Sequence, residues 1–117
     1  MLKDKKYCDS FRDCPCLIHL LGLETTEDYC SPFETVCGHH LDTRLRDDRQ
    51  IPLGYKHHTG NNGVHVIGKK TWHDKYLSKE ECIELAEFAY GFWKTNGVNL
   101  FSLDNVKEVI TLYFKED

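Results

Sequence analysis

The sequence predicts a small α+β domain in which a short, histidine-rich β-hairpin is followed by helices. The run Q-I-P-L-G at 50–54 has the length and the boundaries of one hairpin strand, and residues 36–41 are its expected partner. The run S-K-E-E at 78–81 is a capping box that opens an amphipathic helix. Five histidines lie within the 29 residues of 37–65, more than a packed core or a solvated loop requires. We therefore expect the hairpin to carry a metal site.

Length and composition bound the class of protein. A chain of 117 residues predicts one domain, residues 1–117, with a core small enough to benefit from a bound metal. No apolar run approaches the roughly 18 residues of a membrane-spanning helix, and the first residues lack the apolar core of a signal peptide. We therefore expect no membrane partner and a cytoplasmic location. In that compartment the six cysteines would be thiols or metal ligands.

The charge is unevenly distributed along the chain. A net charge of -4 argues against a nucleic-acid partner, yet residues 37–75 hold seven Lys or Arg against four Asp, together with six of the seven histidines. Positive charge is thus concentrated where the histidines are. Planar guanidinium groups suit phosphate oxygens. The candidate phosphate contacts are Arg44, Arg46, Arg49, Lys69 and Lys70.

The N-terminal third is the least patterned part of the chain. Residues 1–13 could form a short helix or an ordered arm. In C-P-C-L-I-H at 14–19, Cys16 and His19 stand at the spacing of a zinc knuckle. Residues 20–33 resemble an insertion or a short helix, in which Thr26 could cap a turn. Cys30 and Cys37 follow, either as metal ligands or as small buried residues.

The two adjacent histidines of the first strand are predicted to do different work. Neighbouring side chains on a strand point to opposite faces, so one of His39 and His40 could hold a metal while the other faces a water molecule. After His58 the glycine-rich run T-G-N-N-G-V-H predicts a turn that returns His65 towards His58. A short helix over 69–76 would follow, with Trp72 in the core and His73 on the surface.

Two helices are predicted in the C-terminal part, residues 77–117. The first follows the capping box and ends at Asn96-Gly97. Its apolar stripe comprises Cys82, Leu85, Ala86, Ala89, Phe92 and Trp93. The second is expected to begin near Ser102. Its inward residues are Leu103, Val106, Val109, Ile110 and Tyr113.

The histidine pattern resembles a known family. The chain reads H-H-L-D at 39–42, D-D-R-Q-I-P-L-G-Y-K-H-H at 47–58 and G-V-H at 63–65, followed by Trp72. This order resembles the HNH (ββα-metal) nuclease motif, in a form similar to small phage nucleases of the Ref recombination-enhancement type. The resemblance covers roughly residues 14–76. It implies a ββα-metal hairpin-helix centre with an N-terminal zinc-knuckle-like segment, to which the two C-terminal helices are added.

The resemblance also implies an activity and its residues. The protein would be a phage-encoded, metal-dependent DNA endonuclease or nickase acting in the host cytoplasm. His40 would be the general base and Asp48 would orient its ring. His39, His58 and His65 would hold a divalent metal, Mg²⁺, Mn²⁺ or Zn²⁺, at the catalytic site.

Two departures from the family pattern affect a second, structural zinc. Gly54 stands where such proteins carry a cysteine, and Cys16-Leu-Ile-His19 replaces a C-x-x-C knuckle. A structural zinc would be built from Cys16, His19 and His57. Its fourth ligand would come from Cys14, Cys30 or Cys37, or this zinc would be absent. Cys37 is the first choice because it lies beside the histidine pair.

A second class of function fits the same residues. The histidines and cysteines could form a closed, four-ligand structural site in a zinc-stabilised binding or inhibitory protein with a catalytically silent HNH-like fold. A closed site has no position for substrate, so coordination number separates the two hypotheses. The nuclease is favoured because His40 has no role in a purely structural site.

Overall fold

The computed structural model describes residues 3–23, 36–41, 46–60 and 63–115, with side chains up to residue 112. Within these ranges the chain forms seven α-helices and one two-stranded sheet, which confirms the predicted α+β class. The elements in order are α1 (Lys5–Ser10), α2 (Leu17–Leu21), β1 (Val36–His40), β2 (Gln50–Gly54), α3 (Tyr55–His58), α4 (Val64–Ile67), α5 (Lys69–Lys75), α6 (Lys79–Asn96) and α7 (Val106–Lys115). The predictions for Thr26, Cys30 and Arg44 lie outside the described residues.

The predicted hairpin is present with the predicted strands. β1 and β2 pair antiparallel, with His39 opposite Ile51 and His40 opposite Gln50. All five residues of β2 are buried, because both β1 and several helices pack against this strand. Gly38 leaves space for its neighbours, since a Cβ at this position would lie within 3.0 Å of both the Gln50 side chain and the Phe11 ring.

Three short helices follow β2 directly. Gly54 ends the strand and caps α3, so the position where the resembled family has a cysteine is a strand-to-helix junction here. The turn after α3 is closed by backbone hydrogen bonds from Gly60 to Tyr55 and from Gly63 to Gly60. α5 begins after Gly68, whose φ of 93° is left-handed and favours glycine. Trp72 on α5 is fully buried, which confirms its predicted place in the core.

Helix α6 follows the predicted pattern closely. The Ser78 hydroxyl accepts a hydrogen bond from the Glu81 backbone N–H, and the helix ends at Asn96 with Gly97 in the left-handed conformation. The stripe Cys82, Leu85, Ala86 and Ala89 is fully buried, and Phe92 and Trp93 pack partly buried against the core. The capping box and the apolar period therefore predicted the whole element.

The second C-terminal helix begins later than predicted. A 3-10 turn, Leu100–Ser102, precedes α7, which starts at Val106 rather than near Ser102. The turn forms because the Asn99 side chain accepts from the Phe101 backbone N–H while its amide donates to the Ser10 hydroxyl. Val106 and Ile110 are buried as expected, and the Tyr113 side chain lies outside the described residues.

The N-terminal segment is a helical layer rather than an arm. Asp4 caps α1, and Tyr7 is fully buried with its ring against those of Phe11, Tyr90 and Trp93. Residues 16–19, predicted to form a knuckle, instead lead into α2, with Cys16 at its N-cap.

Among the described residues, no helix has both the length and the apolar character needed to cross a membrane.

Candidate metal centre

Three of the predicted metal ligands converge beside the hairpin. His39 lies on β1, His58 on α3 and His65 on α4. One possible ligand atom from each lies within 4.8 Å of those of the other two. The Nε2 atoms of His58 and His65 are 3.1 Å apart, so the glycine-rich turn returns His65 to His58 as predicted. This spacing fits two ligands of one ion, since nitrogen ligands about 2.1 Å from zinc stand a little over 3 Å from each other.

The triad is arranged from buried to exposed. His39 is 3% exposed, His58 is half-buried and His65 is exposed. The His39 ring centroid lies 5.2 Å from that of His58 and 5.3 Å from that of His65. The buried His39 therefore lies at the bottom of a shallow site, which opens to solvent at His65.

The electrostatics of the site keep the His39 and His58 rings neutral. Burial, then the proximity of His58 and His65, lowers the pKa of His39 from 6.5 to about 3. Burial, then His65, also lowers the pKa of His58. A metal binds the neutral imidazole, so both rings are in the ligating form at neutral pH. The donor set thus fits a divalent ion such as Zn²⁺.

His40 points away from the triad and contacts a carboxylate. Its Nε2 lies 3.0 Å from Oδ1 of Asp47, which is buried. The other Asp47 oxygen accepts a hydrogen bond of 2.7 Å from the Asp4 backbone N–H. Burial alone would raise the pKa of Asp47, but the hydrogen bonds from Asp4 and His40 hold that pKa below its usual value. Asp47 is therefore a charged acceptor for the His40 ring.

The expected role of Asp48 is corrected by this geometry. Asp48 accepts two hydrogen bonds from Arg46, of 3.0 Å from Nε and 2.7 Å from the terminal nitrogen, and does not hold His40. The neighbouring carboxylate does so instead. Two adjacent aspartates were equally suited to the role, and which of them reaches the ring depends on the backbone between Arg46 and β2.

A second group of possible metal ligands surrounds His40. The Cys8 thiol, the His40 ring and the Asp47 carboxylate each offer one ligand atom within 4.8 Å of the other two. Among the described residues, this group and the histidine triad are the two clusters of three or more such side chains. Cys8 comes from α1, far away in the sequence, and no spacing pattern predicted its approach.

The predicted structural zinc ligands do not assemble as expected. Cys16 Sγ and His57 Nδ1 lie 3.7 Å apart and both residues are buried, but neither belongs to a described cluster of three ligands, nor does His19. Cys37, the first choice for a fourth ligand, lies elsewhere: its Sγ is 3.0 Å from His58 Nδ1, beside the triad. Cys14 donates its thiol to the Ser10 carbonyl.

The predicted DNA contacts differ in their availability. Arg46 is paired with Asp48, and Arg49 donates to Glu87 at 3.0 Å. Lys69 and Lys70 are exposed and line a surface cleft of about 360 Å³, which Lys79, Asp74 and Glu80 also line. Lys69 also contributes to the lowered pKa of His39, after burial and the neighbouring histidines, so its charge lies close to the triad. His73, predicted on the surface, is half-buried against the Leu77 carbonyl oxygen.

Comparison with known proteins gives no relative: no family model, no curated protein and no solved structure matches this chain.

Proposed function

We propose that the protein is a metal-dependent endonuclease or nickase that hydrolyses phosphodiester bonds in DNA. One observation carries the proposal: three imidazoles meet on one side of β1 while the next residue, His40, is held on the other side by a buried carboxylate. A purely structural metal site needs the first feature only. The second feature is what a reaction that moves a proton requires.

His40 has the arrangement of a general base. The carboxylate of Asp47 only accepts hydrogen bonds, so the single proton of the neutral ring belongs on Nε2 and leaves a lone pair on Nδ1. Nδ1 can then take a proton from a water molecule. The charge that forms on the ring is stabilised by Asp47, whose other oxygen is fixed by the Asp4 N–H.

His39, His58 and His65 would hold the divalent ion. The bound ion would supply positive charge to stabilise the phosphate and the leaving oxygen. His40 belongs to the same centre electrostatically, since it contributes, after burial, His65 and Cys16, to the shifted pKa of His58. His40 and the triad ligand His39 are neighbours on β1, so we propose that the base and the metal act on one substrate.

The exposed lysines support an anionic substrate. Lys69 and Lys70 stand at the start of α5, with Lys69 close to the triad, and neither is held by a described carboxylate in an ion pair. Arg46 and Arg49 would have to leave Asp48 and Glu87 to contact phosphates. We therefore assign phosphate contact to the lysines before the arginines.

The decisive test is cleavage of DNA. Supercoiled, linear and single-stranded DNA would be incubated with the protein after removal of metal, and again after addition of Mg²⁺, Mn²⁺ or Zn²⁺. We expect cleavage with at least one metal and none with chelator. Absence of cleavage of all three substrates with every metal would refute the proposal.

The zinc-stabilised binding protein remains the second candidate because of Cys37. A thiol 3.0 Å from a triad histidine could serve as a fourth ligand after a small movement and close the site. However, Cys37 faces Nδ1 of His58, whereas Nε2 faces His65. Replacement of the metal by Co²⁺ separates the candidates: a closed site shows a sulfur-to-cobalt absorption band that Cys37→Ser removes, and an open site shows no band that depends on Cys37.

A further inference from the structure

The cluster around His40 is built from three segments of the chain. Cys8 comes from α1, His40 from β1, and Asp47 precedes β2. The thiol sulfur, a ring nitrogen and a carboxylate oxygen all lie within 4.8 Å of one another. None of these groups belongs to the histidine triad. His40 follows the triad ligand His39 on β1 and is the proposed base, which makes the cluster relevant to function.

Neighbouring groups already orient each member. The Gln50 amide is buried and donates both to Cys8 Sγ, at 3.3 Å, and to the Asp47 backbone carbonyl, at 2.9 Å. The Asp4 N–H occupies Oδ2 of Asp47 and leaves Oδ1 directed at His40. Ligands that are held in place in this way bind an ion with less loss of conformational entropy. Cys8 and His40 are half-buried, so the cluster is open to ions in solution.

The chemistry of this cluster differs from that of the triad. The triad offers three neutral nitrogens, whereas Cys8 and Asp47 would add a thiolate and a carboxylate, whose two negative charges balance a divalent ion. Thiolate ligands select Zn²⁺ and similar soft ions over Mg²⁺ and Mn²⁺. We propose that Cys8, His40 and Asp47 form a second binding site for a thiophilic divalent cation such as Zn²⁺, and that an ion bound there inhibits the protein; the inhibition, though not the binding, rests on the proposed nuclease function.

The inhibition follows from the proton balance. The Cys8 thiol loses its proton to solvent and its sulfur bonds to the ion. His40 bonds through Nε2, so the one proton of its neutral ring moves through solvent to Nδ1. The lone pair that would accept a proton from water is then gone, and the His40–Asp47 hydrogen bond is replaced by bonds to the ion. No other reactant is needed.

The binding is tested with Cd²⁺ alone, by measurement of the ultraviolet absorption of thiolate-to-cadmium bonds. We expect Cys8→Ser to lose the absorption that corresponds to one bound Cd²⁺, because a serine hydroxyl binds Cd²⁺ weakly. The hydroxyl can still accept a hydrogen bond from Gln50. Cys37→Ser is the matched control, because Cys37 is an exposed thiol outside this cluster, and should keep the Cys8 signal. Titration curves of equal amplitude for the parent and Cys8→Ser, with thermal unfolding showing that both are folded, would overturn the site.

The inhibition is tested in a cleavage assay supported by the metal that gives activity, with increasing Zn²⁺. Without added Zn²⁺, Cys8→Ser should cleave like the parent. For the same degree of inhibition it should need at least roughly 10- to 100-fold more Zn²⁺ than the parent, because loss of one site residue lowers the affinity by about that factor. Equal sensitivity of the parent and Cys8→Ser would overturn the inhibitory role. If neither protein cleaves DNA at all, the nuclease proposal fails, while the Cd²⁺ titration still decides the site.

Discussion

At the scale of single residues, His39 and His40 show how one strand can serve two purposes. Their side chains leave β1 on opposite faces, one into a buried cluster of imidazoles and the other onto Asp47. A strand separates them without any additional structure, because its side chains alternate. Substitution of His39 and substitution of His40 should therefore affect different properties of the protein.

The first prediction concerns His40. His40→Ala should lower the cleavage rate by about 10² to 10⁴, because it removes the base, and should leave the metal content of the triad unchanged. Single-turnover cleavage and metal analysis measure the two effects. His73→Ala removes a histidine outside both clusters and is the control. Parent-like cleavage by His40→Ala would remove the residue from the mechanism.

The second prediction concerns the ligands. His58→Ala and His65→Ala should each lose the bound metal, since three protein ligands are the minimum for a catalytic site of this kind. Metal content after dialysis is the measurement, with His73→Ala again as the control. Full occupancy in both variants would contradict the assignment of the triad.

The third prediction concerns pH and the metal-free protein. The pKa of His39 is about 3 in the folded protein and 6.5 in the unfolded chain, so unfolding takes up a proton as the pH falls below 6.5. The free energy of unfolding should fall between pH 7 and pH 5, with a slope that approaches about 1.4 kcal/mol per pH unit for one such group. Denaturant unfolding in chelator measures it. His39→Leu should show a shallower dependence, and an equal slope would exclude His39 as the cause.

The residue roles were predictable to different degrees. The three imidazoles could be predicted only through the family resemblance, whereas the turn between His58 and His65 could be predicted because their spacing is short and glycine-rich. Asp47 could not be preferred over Asp48, since the choice depends on a loop conformation. Cys8 could not be predicted at all, because its contact with Gln50 joins residues 42 positions apart.

At the scale of elements, the turn between α3 and α4 determines the geometry of the triad. A Cβ on Gly63 would lie 2.5 Å from the carbonyl oxygen of His58 and 2.7 Å from the backbone nitrogen of Thr59. Backbone atoms cannot move aside as a flexible side chain can. The two helices would have to separate, and with them His58 and His65.

The fourth prediction follows from that close approach. Gly63→Ala should weaken metal binding and destabilise the protein by about 1 to 3 kcal/mol, the usual cost of overpacking. Gly91→Ala is the matched control: it is exposed within α6, where a Cβ meets nothing, and should stabilise the protein by about 0.5 to 1 kcal/mol. Calorimetric metal titration and thermal unfolding compare the two. Parent-like affinity in Gly63→Ala would show that the turn can adapt.

Elements, like residues, differ in how far the sequence predicts them. The hairpin and α6 carry their patterns within a few consecutive residues, and both lie where the sequence predicts them. The start of α7 was misplaced because Asn99, held by Ser10 from the other end of the chain, favours a 3-10 turn first. Cys16 and His19 were placed in a knuckle by their spacing, yet the same residues begin a helix.

At the scale of the whole molecule, Asp4 connects α1, α6 and the His40 site. Its Oδ1 caps α1, and its Oδ2 accepts from the Tyr90 hydroxyl and the Trp93 ring nitrogen. Its backbone N–H donates to Asp47. α6 carries no proposed catalytic residue, yet through this aspartate it supports the carboxylate that holds His40.

The fifth prediction tests that connection. Asp4→Ala should destabilise the protein by about 1 to 3 kcal/mol, because it removes a helix cap and leaves two donors without their acceptor. Cleavage should fall as well, while the triad keeps its metal. Asp9→Ala removes an exposed aspartate of the same helix and is the control. Equal stability of the two variants in denaturant would contradict the structural role of Asp4.

These long-range hydrogen bonds determine which properties the site would retain if it were transplanted. Residues 36–75 form one contiguous stretch with the three imidazoles, His40 and Asp47, and could be grafted onto another scaffold as a unit. The graft would leave behind Cys8 and the Asp4 N–H, so one oxygen of Asp47 would lose its donor. Such a minimal version should bind a metal ion and transfer protons poorly, unless its new host supplies a hydrogen-bond donor at that oxygen.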